Sequence, residues 1–162
     1  MSTGPIRFML NAMSARRARP VPRPIDPRGP RFNQAVLAVG LLVAFVIDLR
    51  AAIPFFAVVL LLGAAFGPKY GPFLRLYASV IRPRLRPPAE LEDPRPPRFA
   101  AAVGVVFLGS GTLALAAGAP AVAWGLALIV AALAGLSAVT GICVGCEVYL
   151  WLARRRGVEL VA

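Results

Sequence analysis

FAAAVGVVFLGSGTLALAAGAPAVAWGLALIVAALAGLSAVTGICVGCEVYLWLA, residues 99–153, decides the fold, and within it Glu147 is the only side chain charged at neutral pH. An apolar run of this length, broken by the turn-forming stretch Gly118-Ala-Pro120, reads as two membrane-spanning helices. One covers Phe99 to Gly118; the other starts near Pro120 and stays apolar, Glu147 apart, until Arg154. Crossing bilayer hydrocarbon takes about 20 residues, which both supply. Toward the N-terminus, two further runs, Asn33–Ile47 and Ala51–Gly67, flank the tight corner Asp48-Leu-Arg50. Both are somewhat short, and cross with modest bilayer thinning.

Composition points the same way. With 59% of 162 residues hydrophobic and 15% charged, a water-soluble domain would have too much surface for its volume to hide this apolar area. The net charge of +11 would suit nucleic acid in a soluble protein, but here the arginines cluster between apolar runs, so no nucleic-acid partner is expected. Seven basic residues precede the first span, seven lie between Pro68 and Arg98, and three follow the fourth; Arg50 alone sits at the other side. Seventeen against one places both termini and the central loop in the cytoplasm, with the chain in the inner (plasma) membrane. The first 33 residues hold seven arginines and Pro20, Pro22, Pro24, Pro27 and Pro30 but no early apolar core, so they read as a cytoplasmic arm rather than a cleavable signal.

The expected architecture is all-α, an integral membrane four-helix bundle of two tandem hairpins. It divides into a basic Pro/Arg-rich arm (1–31), a first hairpin (32–67), a cytoplasmic loop (68–98), a second hairpin (99–153) and a tail (154–162). The tandem reading comes from a repeat. Asp26-Pro-Arg-Gly-Pro-Arg-Phe32 and Asp93-Pro-Arg-Pro-Pro-Arg-Phe99 agree at six of seven positions, 67 residues apart, each just before a span. A weaker echo relates Gly67-Pro-Lys-Tyr-Gly-Pro72 to Gly141-Ile-Cys-Val-Gly-Cys146. A pseudo-two-fold axis along the membrane normal would relate the hairpins. Arg28, Arg31, Arg95 and Arg98 would then anchor at headgroup level, or form a lipid or anion site side by side. In the loop, Phe73, Leu76, Tyr77, Val80 and Ile81 share a helical face opposite Arg75, Ser79 and Arg82, as in a short helix lying in the membrane surface. Pro83, Pro87 and Pro88 stop it, and the acidic Glu90, Glu92 and Asp93 follow as a solvated cluster.

One chemical motif stands out. The two cysteines are spaced Cys143-Val-Gly-Cys146, an arrangement random placement gives on the order of one time in a hundred. On a continuous helix they share a face with Glu147. With Trp124 and Trp151 as interface markers about 40 Å apart along that helix, the pair falls in the cytoplasmic leaflet, though Gly141 or Gly145 could instead break the helix and expose it. Three readings stand together: inert small core residues, a redox-active or sulfur-carrying dithiol, or a metal site. A metal would need ligands from paired protomers, for there is no histidine, and no residue pattern calls for an organic cofactor. Catalysis by the pair would use Cys143, Cys146 and Glu147 as proton acceptor. Against it, burial and the Glu147 charge both raise thiol pKa.

The segments Asp26-Pro-Arg-Gly-Pro-Arg-Phe-Asn-Gln34, Pro97-Arg98-Phe99 and Cys143-Val-Gly-Cys-Glu-Val-Tyr149 resemble, in that order, the bacterial membrane-protein family called domain of unknown function 4395. The resemblance implies a multi-span protein with the cysteine pair in its last membrane helix. It also implies the company of thioredoxin-like or sulfurtransferase proteins, which favours thiol or sulfur traffic. Four helices with an intramembrane dithiol are similar as well to quinone-linked disulfide-forming enzymes, but those need a second cysteine pair and an outward-facing dithiol. Two other classes stay open. One is a subunit of an oligomeric transporter for small solutes or anions, whose small-residue runs Gly109-Ser-Gly111 and Ala131-Ala-Leu-Ala-Gly135 permit contact between copies. The other is a membrane scaffold with structural cysteines.

Overall fold

The structure, a computed structural model, describes residues 25–67, 71–86, 88 and 91–156. The N-terminal arm up to residue 24, Pro68, Lys69, Tyr70, Pro87, Ala89, Glu90 and the tail beyond residue 156 lie outside the described residues.

The described chain is helical. Helix α1 runs Arg28–Val46 and α2 Ala52–Phe66; α3, Pro72–Leu76, continues as a π-helical turn over Tyr77–Ile81 and a 3-10 turn over Arg82–Arg84; α4 is Arg95–Ala116, α5 Pro120–Thr140 and α6 Val144–Arg155. Three of them, α1, α4 and α5, with 19, 22 and 21 residues, are long and apolar enough to cross a membrane. Helix α2 is apolar throughout but has 15 residues, about 22 Å of rise. The single long helix expected from Pro120 to Arg154 is two helices. Gly141 ends α5 in the left-handed region at φ 78°, and α6 starts afresh at Val144. Trp124 and Trp151 therefore sit on different helices and do not measure one span.

The repeated motif sets the helix starts. Asp26 Oδ1 accepts the Arg28 N–H at 3.0 Å, and Asp93 Oδ1 accepts the Arg95 N–H at 2.8 Å, so each aspartate satisfies a first-turn donor that the helix cannot. The residues just before the two copies bond to each other: Ile25 and Glu92 form an antiparallel bridge with both N–H···O distances 2.9 Å. Helix α1 packs on α5, α2 on α4, and α4 on α5. Leu41, Ile53 and Leu108 are fully enclosed between them. Small residues of α5, Ala123, Ala127, Ala131 and Ala134, are buried, which lets backbones approach closely. Outward, Val106, Leu113 and Val139 are largely exposed, a surface compatible with lipid.

One end of the bundle gathers residues 25–31, the C-terminus of α2, residues 92–98 and Gly141. At the other end the corner takes Asp48 into positive φ, pairs it with Arg50 at 2.8 Å, and ties it to α5 through Trp124 Nε1–H donating to Asp48 Oδ1 at 3.0 Å. In the central segment the expected face splits: Tyr77 is buried and donates its hydroxyl to Asp26 Oδ2 at 3.2 Å, whereas Leu76 and Val80 are exposed.

Candidate functional site

The site begins with the break at Gly141. A left-handed residue after Thr140 reverses the chain, the Thr140 hydroxyl accepts the Ile142 N–H at 3.1 Å, and Cys143 follows in extended conformation (φ −94°, ψ 108°) as the N-cap of α6. Only glycine takes φ 78° without a Cβ penalty, and the Arg31 guanidinium fills the space beside it; a Cβ there would lie 2.7 Å from Arg31 Nη2. Gly141→Ala is expected to cost about 1 kcal/mol from the backbone alone and to displace Arg31, read as a lowered melting temperature of the purified protein.

Cys143 thus does not share a helical face with Cys146; it caps the helix that carries it. Its sulfur accepts the Cys146 backbone N–H at 3.4 Å. The Cys146 thiol, the Gly145 N–H and the Ser137 hydroxyl donate to it as well. Both cysteines are free and half-buried, and they lie beyond the C-terminal end of the last membrane-length helix. The donors, the Cys146 S–H foremost, outweigh burial and bring the Cys143 thiol down from its ordinary value to about 6. A helix N-terminus favours the thiolate in the same sense. Cys146 moves up, because it holds the proton it shares with Cys143, is partly buried, and faces negative charge on Cys143, Glu92 and Glu147. The suppression expected from burial and Glu147 therefore falls on Cys146. Glu147 itself is exposed in the first turn of α6.

Gly145 is what seats the pair. It does not break the helix; a Cβ on it would come within 2.8 Å of Ala100 Cβ and 3.0 Å of Ala100 Cα, so α6 rests on α4 at backbone distance. The Phe99 and Tyr149 rings, 5.6 Å apart, extend that contact.

The four arginines singled out by the repeat end up at helix termini. Arg98 donates to the carbonyls of Ala64 (3.0 Å) and Ala65 (3.1 Å), satisfying orphan acceptors at the C-terminus of α2, while Arg31 lies against the C-cap of α5. Arg28 donates to the Arg86 carbonyl at 3.2 Å, and Arg95 pairs with the buried Asp93 at 3.8 Å.

Sequence reasoning did not find two further features. Ser137, one turn before the end of α5, becomes a donor to Cys143 only because the chain doubles back at Gly141. A cavity of about 130 Å³ lies among α1 to α5 and the start of α6, with Cys143 in its wall beside Asn33, Gln34, Gly63, Gly104 and Arg98.

No curated protein and no solved structure matches the chain. Residues 25–154, which hold the repeated motif, all six helices of the described chain except the last residue of α6, and both cysteines, match the family model described as domain of unknown function (DUF4395), and the chain belongs to that family.

Proposed function

We propose that the protein is a membrane dithiol in which Cys143 is the attacking sulfur and Cys146 the resolving one, engaged in thiol–disulfide exchange or sulfur relay. What carries this reading is the N-cap placement of Cys143, with the Cys146 N–H and thiol both directed at its sulfur. A thiolate so held attacks a disulfide or takes up a sulfane sulfur; Cys146 then displaces the captured group. Glu147, next in sequence and close enough to act on Cys146 by its charge, takes the Cys146 proton in that second step.

The proposed setting is a four-helix bundle of two tandem hairpins in the inner membrane, both termini in the cytoplasm, with a thioredoxin-like or sulfurtransferase protein as exchange partner. The basic-residue count supports the orientation. Two observations support the tandem arrangement. Ile25 and Glu92, the residues preceding the two motif copies, bond to one another. The ring pairs Phe32–Tyr77 and Phe99–Tyr149 recur at 5.8 and 5.6 Å. The arginines at the motif end supply headgroup anchoring.

Trapping tests the dithiol. In membranes, Cys146→Ser is expected to accumulate a mixed disulfide through Cys143, identified by mass spectrometry and absent from Cys143→Ser. If both thiols stay inert to small permeant maleimides, the reading fails.

A further inference from the structure

The walls of the cavity at Cys143 bear on what the thiol meets. The cavity is a partly open chamber lined by α1, by α2 around Gly63, by α4 as far as Phe107, by Leu74 of α3, by α5 around Val130 and by residues Cys143–Gly145, and Cys146 is not in its wall. The attacking sulfur therefore faces this chamber and the resolving one does not.

We propose that this chamber is the substrate site of the dithiol and admits a small uncharged organic disulfide. The proposal rests on the dithiol reading above for the reaction, and on the chamber for the substrate. Its volume, about 130 Å³, is close to that of an engineered apolar cavity of about 150 Å³ that takes up benzene, so it has room for a sulfur–sulfur bond with short alkyl groups. Leu37, Leu60 and Phe107 make it mainly apolar, and Asn33 and Gln34 bring neutral amides. Among the described residues the one cation in its wall, Arg98, is engaged by the Ala64 and Ala65 carbonyls. A charged disulfide would lose hydration there without a partner.

The chemistry balances. The Cys143 thiolate attacks one sulfur of R–S–S–R, forming Cys143–S–S–R and expelling RS⁻, which leaves as RSH after taking a proton. Cys146, deprotonated by Glu147, attacks Cys143 Sγ, forming the Cys143–Cys146 disulfide and expelling the second RS⁻, which is protonated in turn. The small disulfide is reduced by two electrons and the two cysteines are oxidised by two. A dithiol protein of the thioredoxin-like class returns the pair to the reduced state by the same exchange.

Gly63 makes the chamber testable, because a Cβ added there meets nothing within 4 Å, and a larger side chain occupies the space without a backbone clash. The reduced full-length protein in lipid nanodiscs is mixed with dimethyl disulfide, and methanethiol release and the Cys143–Cys146 disulfide are followed. Wild type is expected to react at least about tenfold faster with dimethyl disulfide than with oxidised glutathione. Cys146→Ser stops at the methylthio adduct on Cys143, and Gly63→Leu slows the reaction at least about tenfold while melting no lower than wild type. Should Gly63→Leu melt lower, Gly63→Ala serves, and its slowing is expected to grow from dimethyl to diisopropyl disulfide. Unchanged rates in the Gly63 variants, or equal rates with glutathione disulfide, overturn the chamber and leave the dithiol standing. Failure of both disulfides to oxidise the pair removes the dithiol reading itself.

Discussion

The alkylation rate of Cys143, measured peptide by peptide with iodoacetamide across pH, is expected to rise to a plateau with its midpoint near pH 6. A depressed thiol pKa means that thiolate is present above the folded value and is lost as pH falls through it. Reactivity should be nearly flat above neutrality and fall about tenfold by pH 5. The absolute rate is the poorer diagnostic. At pH 7, a fall in pKa from 9.0 to about 6 raises the thiolate fraction by about ninety-fold. Nucleophilicity drops with basicity, taking back about twenty-fold and leaving a gain of only several-fold. The midpoint carries the information. Cys146→Ala removes the foremost donor and moves the midpoint upward; Ser137→Ala moves it upward by less, since its hydroxyl contributes behind the Cys146 groups. A midpoint at the ordinary thiol value in the wild-type protein would remove the cradle as an explanation of reactivity.

The second large effect concerns Gly145. Gly145→Val is expected to lift α6 off α4, because the added Cβ would come 3.0 Å from Ala100 Cα, a backbone atom that cannot rotate aside. Overpacking of this kind costs about 1–3 kcal/mol. The chemical consequence is smaller: once α6 tilts, Ser137 on α5 separates from Cys143, whereas Cys146 and the Gly145 N–H move with it, so the midpoint rises about as far as in Ser137→Ala. Gly145→Ala should do the same more weakly. Ala100→Gly, which removes the Cβ that would be met at 2.8 Å, should restore part of both the melting temperature and the midpoint in the double variant. Loss of stability with an unmoved midpoint would mean that Ser137 of α5 adds nothing to the thiol's environment.

These contacts explain what was legible in the sequence. The start of α5 was readable because it is local, Pro120 opening the helix with no donor to waste, whereas α1 and α4 begin at Arg28 and Arg95, ahead of the expected Asn33 and Phe99, because Asp26 and Asp93 each satisfy a first-turn N–H. The break at Gly141 was not decidable, since glycine inside an apolar run serves equally as a packing surface, and the choice was made by Arg31, more than a hundred residues away. The role of Gly145 was open for the same reason, with Ala100 as the missing partner. Glu147 pointed against a reactive pair because proximity in sequence was read as proximity to both sulfurs. The chamber was invisible, because Asn33, Gly63, Gly104 and Cys143 meet only after four helices have packed.

The bridge between Ile25 and Glu92 turns the chain between them into a closed lasso. Drawing together ends 67 residues apart costs on the order of 4 kcal/mol in chain entropy, more than two backbone hydrogen bonds contribute, at about 1 kcal/mol each. The knot of that lasso cannot hold itself shut. It is kept closed by α1 lying on α5 and α2 on α4, so it ties last as the halves dock and slips first when they loosen.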